Sequence, residues 1–367
     1  MKILYVAPKF DYGKPEQGFS FEHYNFYDFL NKAGHEILYF DTLTLLKQLG
    51  KGHMNRRLLE MARTEHPDLM FTVLFTDELD PATVARISSE TGVTTLNWFC
   101  DDHWRFENYS RHWAPSFNWV VTTAKSAVEK YRSMGYSHAI KSQWGCNHLL
   151  YRRLGIPFKY EVTFVGQPHG NRRQIIQTLR DNGVRVQTFG AGWDSGRVSQ
   201  ENMIRIFNES RINLNLSNAS INGVSVPNPV IQSVLDRVAI TLDHVPFGAS
   251  VKRLGRKVLA SHQKAQPDDN GVKQFEQIKG RNFEVPGCGG FVLTGNVEDL
   301  DNYYESGKEV VSFKDTRDLV DKIKYYLSHE QEREAIANAG YERTLREHTY
   351  THRFRQIFAA MQLAERS

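Results

Sequence analysis

The chain has 367 residues, enough for two domains that each bury a core. Hydrophobic residues make up 40% and charged residues 24%, as in ordinary soluble globular proteins, and the net charge of +4 gives no electrostatic case for a nucleic-acid partner. Three widely spaced cysteines, Cys100, Cys146 and Cys288, form neither a disulfide framework nor a metal-binding pair, and no apolar run approaches the ~18 residues of a membrane span; a reducing, cytoplasmic setting is expected.

From the amino end, KILYVA (2–7) reads as a strand, not as the apolar stretch of a signal peptide. Residues 19–33 carry Phe21, Tyr24, Phe26, Tyr27 and Leu30 near helical spacing and stop at Gly34. HEILYF (35–40), DLMFTVLF (68–75), TTLNWF (94–99) and FNWVVTT (117–123) read as further strands. Helices are predicted over 54–65, 80–91 and 124–134, the second opened by an Asp80-Pro81 start signal. The alternation then restarts after a junction near 150–157. YEVTFVG (160–166), VRVQTFG (184–190), RINLNLS (211–217), VAITL (238–242), FVLT (291–294) and EVVSF (309–313) are predicted strands. Helices are predicted over 171–183, 200–208, 229–237, 316–328, 330–342 and 350–365, and the basic, turn-rich stretch 251–275 reads as an insertion. Two α/β units in tandem imply two mainly parallel, doubly wound sheets, with ligands bound beyond the carboxyl ends of the strands.

Several chemistries are disfavoured by missing motifs. There is no GxxxxGK[ST], no GxGxxG after the first strand, no GxSxG, no HExxH and no Asp-x-Asp directly at a strand end, so no metal site is expected. The segment KGRNFEVPGCGGF (279–291) survives this pruning. If 274–288 is mainly helical, Glu276 and Glu284 lie ~12 Å apart along the axis with faces differing by ~80°. Lys279 and Arg281 fall between them. Carboxylates accept from hydroxyls and cations neutralise a diphosphate, which is the order of groups in a nucleotide-sugar. Gly287, Gly289 and Gly290 would let backbone N–H groups approach the phosphates. The same charges are also i,i+3 pairs, as on a solvated helix face.

Residues 279–353, with FVGQPHGNRRQIIQTLRDNG and NWFCDDHWRF, resemble the CgeB-type, spore-maturation-protein-like glycosyltransferases. The resemblance implies a GT-B fold: an acceptor domain (1–150), a nucleotide-sugar donor domain (151–349) and a last helix (350–367) packed back on the first domain. It implies a nucleoside-diphosphate sugar as donor, no further cofactor, a hydroxyl acceptor (a glycan or lipid-linked precursor), and a Glu-x7-Glu pair in which Glu284 binds the ribose and Glu276 approaches the donor sugar. In that frame Gly166, Arg172, Arg173, Gly190 and Gly192 border the donor; one arginine reaches phosphate, and the glycines can equally close tight turns. Asp101, Asp102 and His103 follow a strand of the first domain, where a carboxylate or imidazole can take a proton from the acceptor. Asp102 can equally cap a helix. Gly18 and His23 open the first long helix and can meet phosphate, or His23 is simply packed. The basic run 45–63 is either a solvated face or a peripheral contact with an anionic membrane. An epimerase-like enzyme and a non-catalytic sugar-binding protein on the same fold are the rival readings.

Overall fold

The computed structural model describes residues 1–217 and 276–363. The predicted helix 229–237, strand 238–242 and insertion 251–275 lie outside the described residues. In the first half, strands β1 (Lys2–Ala7), β2 (Glu36–Asp41), β3 (Leu69–Thr72), β4 (Thr94–Phe99), β5 (Trp119–Thr122) and β6 (Ala139–Lys141) form one sheet in the order β2-β1-β3-β4-β5-β6. Every pairing is parallel. The second sheet holds β7 (Tyr160–Val165), β8 (Val186–Phe189), β9 (Ser210–Asn215), β10 (Val292–Gly295) and β11 (Val311–Phe313) in the order β11-β10-β9-β7-β8, again parallel. Continuous apolar runs such as KILYVA are what a parallel strand covered on both faces requires, and Ile3 through Ala7 have no exposed surface. In each sheet the winding reverses beside its first strand, between β1 and β3 and between β7 and β9. These are the crevices in which such sheets bind ligands.

Helices α1 (Asp28–Lys32), α2 (Thr42–Glu65), α3 (Pro81–Thr91), α4 (Asp102–Arg105), α5 (Arg111–Trp113) and α6 (Lys125–Ser133) accompany the first sheet. Asp80 caps α3 through the Ala82 N–H, as its sequence signals. Strand β6 and helix α5 have no predicted counterpart, and two predicted helices differ in form. Ahead of α1 the chain makes a π-helical turn, His23–Tyr27. Helix α2 begins twelve residues before the predicted 54–65, because Gly50 (φ 71) bends the chain and lets an earlier segment capped by Asp41 join it. Within the basic run, Lys51 pairs with Asp77 and Arg63 with Glu90.

The second sheet carries α7 (Arg172–Asp181), α8 (Gln200–Glu209), α9 (Arg281–Gly287), α10 (Thr316–Ser328), α11 (Glu330–Glu347) and α12 (Tyr350–Ala360). The chain returns to the first domain between α11 and α12. The Cys146 N–H donates to the His348 carbonyl (2.8 Å) and the Tyr350 N–H to the Cys146 carbonyl (3.1 Å). Phe354 then packs among Phe26, Phe29, Phe71 and Trp98. Burying one such ring stabilises the junction by about 1.5–3 kcal/mol.

Candidate active site

Loops at the carboxyl ends of the two sheets meet across a cleft. Arg197, beyond β8, pairs with Asp11, beyond β1. Gln277 Nε2 donates to Asp101 Oδ1 (3.0 Å), joining residues 176 positions apart. Phe21 lies against Gly280 closely enough that a Cβ there would meet its ring at 2.9 Å.

On the second domain's side, Gly166 and Gly190 touch. Gly190 has φ +130, and a Cβ at that position would lie 2.6 Å from the Gly166 carbonyl oxygen, so only glycine permits the approach. Trp193 Nε1 donates to that same carbonyl (2.8 Å), and Arg173 donates to the Gly192 carbonyl while stacking on Trp193. Gly192 and Arg173 thus close the 190–197 loop. Arg172 points inward: its Nη1 reaches the Gln167 carbonyl (2.9 Å) and its Nη2 the Leu216 carbonyl (2.8 Å), tying the loops after β7 and β9 together. Arg281 Nε donates to the Val165 carbonyl (2.7 Å). Helix α9 is set over the strand ends by a buried amide network: Asn215 Nδ2 donates to Asn282 Oδ1 (2.7 Å) and to Thr294 Oγ1 (3.0 Å).

Three cations therefore share the crevice. Burial presses the Lys279 ammonium down to about 8; Asp101 opposes the shift, and Arg172 and Arg281 add to it. Burial, then Arg281, lowers Arg172 to about 10. Like charges gathered in a half-buried crevice are costly to fold, and an anionic ligand relieves the cost.

The paired-glutamate expectation is corrected in its geometry. Residues 276–279 are extended, with the Gln277 N–H on the Ser217 carbonyl (3.2 Å), and α9 starts only at Arg281. Glu276 is exposed and shares no helical face with Glu284. Glu284 is completely buried; its Oε1 accepts from Tyr151 (2.8 Å) and its Oε2 has no partner among the described residues. Burial raises its carboxyl, against the pull of Arg281. Gly289 and Gly290 do not cradle a ligand at this crevice. They precede β10, so about 13 Å of strand separates them from its carboxyl end. Arg153 and Asn213 fill the space a Cβ would take at each.

On the first domain's side, Asp101 alone of the Asp101–Asp102 pair reaches across the cleft. Asp102 is buried and turned into its own domain, where Tyr131 donates to its Oδ2 (2.9 Å) and burial lifts its carboxyl to about 6. It is the first residue of α4, not its cap, and neither aspartate makes a capping bond there. His103 is half-buried beside Gln277, and burial lowers it to about 4, so the ring is uncharged at neutral pH. His23 is stacked between Phe19 (4.1 Å) and Tyr27 (4.8 Å) and lowered by burial to about 4. The ring is packed on both faces, the second of the two alternatives for His23, and the Ser20 hydroxyl takes the His23 backbone N–H (3.0 Å). Gly18 sits in an exposed turn, its carbonyl bonded to Asp11 N–H (3.0 Å).

Four residues escaped the sequence reading. Gln277 and Asn282 carry no motif, and their roles depend on elements distant in the chain. Tyr151 reaches Glu284 from the interdomain junction. Glu22 lines a cavity of about 220 Å³ with Asp11 and Asp101 at the ends of β1, β3 and β4.

The glycosyl transferase-like family matches this chain over residues 171–234 and 250–359, which include Arg172, Lys279, Arg281 and Glu284. Spore protein CgeB of Bacillus subtilis (strain 168) is 22% identical over 236 residues, 63% of this chain and 64% of that protein. The chain is CgeB-like, and its second half resembles the glycosyl transferase-like family. That family's description is one of glycosyl transfer, not of the epimerase-like or non-catalytic rivals. In fold, this chain is similar to HepE of Anabaena, solved in complex with UDP and glucose (TM-score 0.60, 11% identity, 99% of this chain and 100% of that one). It is likewise similar to sucrose-phosphate synthase from Thermosynechococcus elongatus (TM-score 0.59, 10% identity, 98% and 100%). At these identities the likeness is one of fold, and the fold is GT-B. Among the described residues, no helix is long and apolar enough to cross a membrane.

Proposed function

We propose that this protein transfers a glycosyl group from a nucleoside-diphosphate sugar, with UDP as the carrier, to an acceptor hydroxyl. The observation that carries the reading is the trio Arg172, Lys279 and Arg281 at the β7–β9 crevice, faced across the cleft by Asp101. The acceptor oxygen bonds to the anomeric carbon as the sugar–diphosphate bond breaks. The electron pair leaves on the diphosphate, whose charge Lys279 and Arg281 stabilise, and the acceptor's proton passes to Asp101. Glu284 Oε2 is the buried acceptor atom available to a ribose hydroxyl as the donor seats. The same cations supply the countercharge to the diphosphate, so the reaction proceeds without a divalent ion. UDP bound to a GT-B protein of similar fold supports the choice of carrier.

Calorimetry with UDP tests this reading. Binding is expected at neutral pH and unchanged by EDTA; no heat and no thermal stabilisation with UDP, GDP, dTDP or CMP would remove it. The pH dependence follows from Lys279. UDP prefers the protonated ammonium, whose pKa in the free protein is about 8. Affinity should therefore be level below pH 7 and fall as pH rises through 8 to 9. Lys279→Arg, which stays charged, should abolish that decline; a decline that persists in this variant assigns it elsewhere.

A further inference from the structure

We infer that the acceptor is a carbohydrate without acidic groups, its terminal ring in the cavity beside Glu22 and Asp101 and its next unit against the exposed Tyr12–Phe75 edge. The inference rests on the transferase reading and names the substrate class of that site. The first observation is charge. Among the described residues, Asp11, Glu22 and Asp101 line the cavity against one guanidinium, Arg105. Arg105 is partly engaged: its Nη1 donates to the Phe75 carbonyl (3.1 Å) and its Cζ lies 3.9 Å from the Tyr109 ring centre, while its buried Nε and Nη2 have no partner among the described residues. Asp11 is paired with Arg197, which leaves Glu22 and Asp101 facing the space. Burial raises the Glu22 carboxyl, and the charges of Asp11 and Asp101 add to the effect. Such a lining accepts hydrogen bonds from hydroxyl or amine groups and repels a phosphate or uronate.

The second observation is the rim. Tyr12 is 49% exposed and Phe75 42% exposed, with ring centroids 5.7 Å apart and nearly perpendicular. One exposed ring is unremarkable, but two in contact at the mouth of a carboxylate-lined cavity present an apolar shelf beside hydroxyl acceptors. Tyr12 also holds a left-handed backbone (φ 51, ψ 26) that non-glycine residues rarely adopt. Strain of this kind clusters at ligand sites. The C–H face of a sugar fits such a shelf, whereas an anionic lipid surface meets the carboxylates. The cavity of about 220 Å³ is smaller than the ~300–1,000 Å³ of drug-sized sites, so it takes one ring and leaves the next outside, over the shelf.

The test uses the full chain, saturated with UDP, on an array of neutral, amine-bearing, uronate-bearing and phosphorylated glycans. Phosphatidylglycerol vesicles are assayed by co-sedimentation. Binding to neutral or amine-bearing glycans is expected, weakened at least tenfold in Tyr12→Ala/Phe75→Ser and in Glu22→Gln, with UDP affinity kept within twofold. Preference for acidic glycans, neutral-glycan binding that survives both variants, or vesicle binding lost with Tyr12 and Phe75 would overturn the inference. Silence across all neutral and amine-bearing glycans while UDP still binds overturns it alone; loss of UDP binding overturns the transferase reading beneath it.

Discussion

Asp101→Asn should lower turnover by about 10²–10⁴-fold while UDP affinity stays nearly intact. The expectation rests on position and charge. Asp101 follows β4 in the first domain, bonds to Gln277 across the cleft, and lies close enough to Lys279 to favour its charged form. Asparagine keeps the shape and the Gln277 contact but cannot take a proton. Its neighbour supplies the internal control. Asp102→Ala should act on folding, because it removes the buried acceptor of the Tyr131 hydroxyl, and leaving a buried donor unpaired costs about 1–3 kcal/mol. Measured together, the two variants should separate: Asp101→Asn loses turnover at an unchanged melting temperature, and Asp102→Ala loses melting temperature. Normal turnover in Asp101→Asn would end its assignment as the proton acceptor.

Arg281→Ala should weaken UDP binding by about 1.5–3 kcal/mol, the worth of hydrogen bonds to a charged group, and should slow turnover further. The further loss follows because the diphosphate gains charge as it departs, so stabilisation is larger in the transition state than in the bound donor. Nε of Arg281 is committed to the Val165 carbonyl and Nη2 contacts Met203 Sδ (3.7 Å), which holds the guanidinium at the carboxyl end of β7. Arg281→Lys restores charge without the fork and should recover only part of the loss. Glu276→Ala, at an exposed position outside α9, should leave UDP affinity within twofold. Unchanged affinity in Arg281→Ala, or a loss in Glu276→Ala equal to that in Arg281→Ala, would shift the donor site away from α9.

Much of this architecture was legible in the amino-acid order because its causes are local. Apolar runs of four to six residues, Asp80-Pro81 at a helix start and Gly34 at a helix end act within one or two turns of chain. β4 and α10 fall on their predicted residues. The same holds for the crevice glycines: Gly166 and Gly190 end successive strands, and the parallel pairing of β7 with β8 brings them together. The family resemblance carried the GT-B arrangement and the return of the last helix. Local signals failed where a single short segment decided the outcome. The three residues of β6 were too few to read, and Gln277 bonding to Ser217 kept Glu276 off the helix that its spacing suggested.

Which side chains meet was decided by tertiary structure alone. Asp101 and Asp102 are adjacent and chemically identical, yet one faces the cleft and the other Tyr131. Lys279, Arg281 and Arg172 converge only because α9 is pinned over the ends of β9 and β10 by Asn215, Asn282 and Thr294. Gly289 and Gly290, in the same short segment as Arg281, end at the opposite edge of the sheet, because the seven residues of α9 carry the chain from the carboxyl ends of the strands back to their amino ends. Spacing in sequence specifies direction only within one element. Across elements, the register of the strands and the packing of the two domains specify it, and both are set by burial summed over the whole chain.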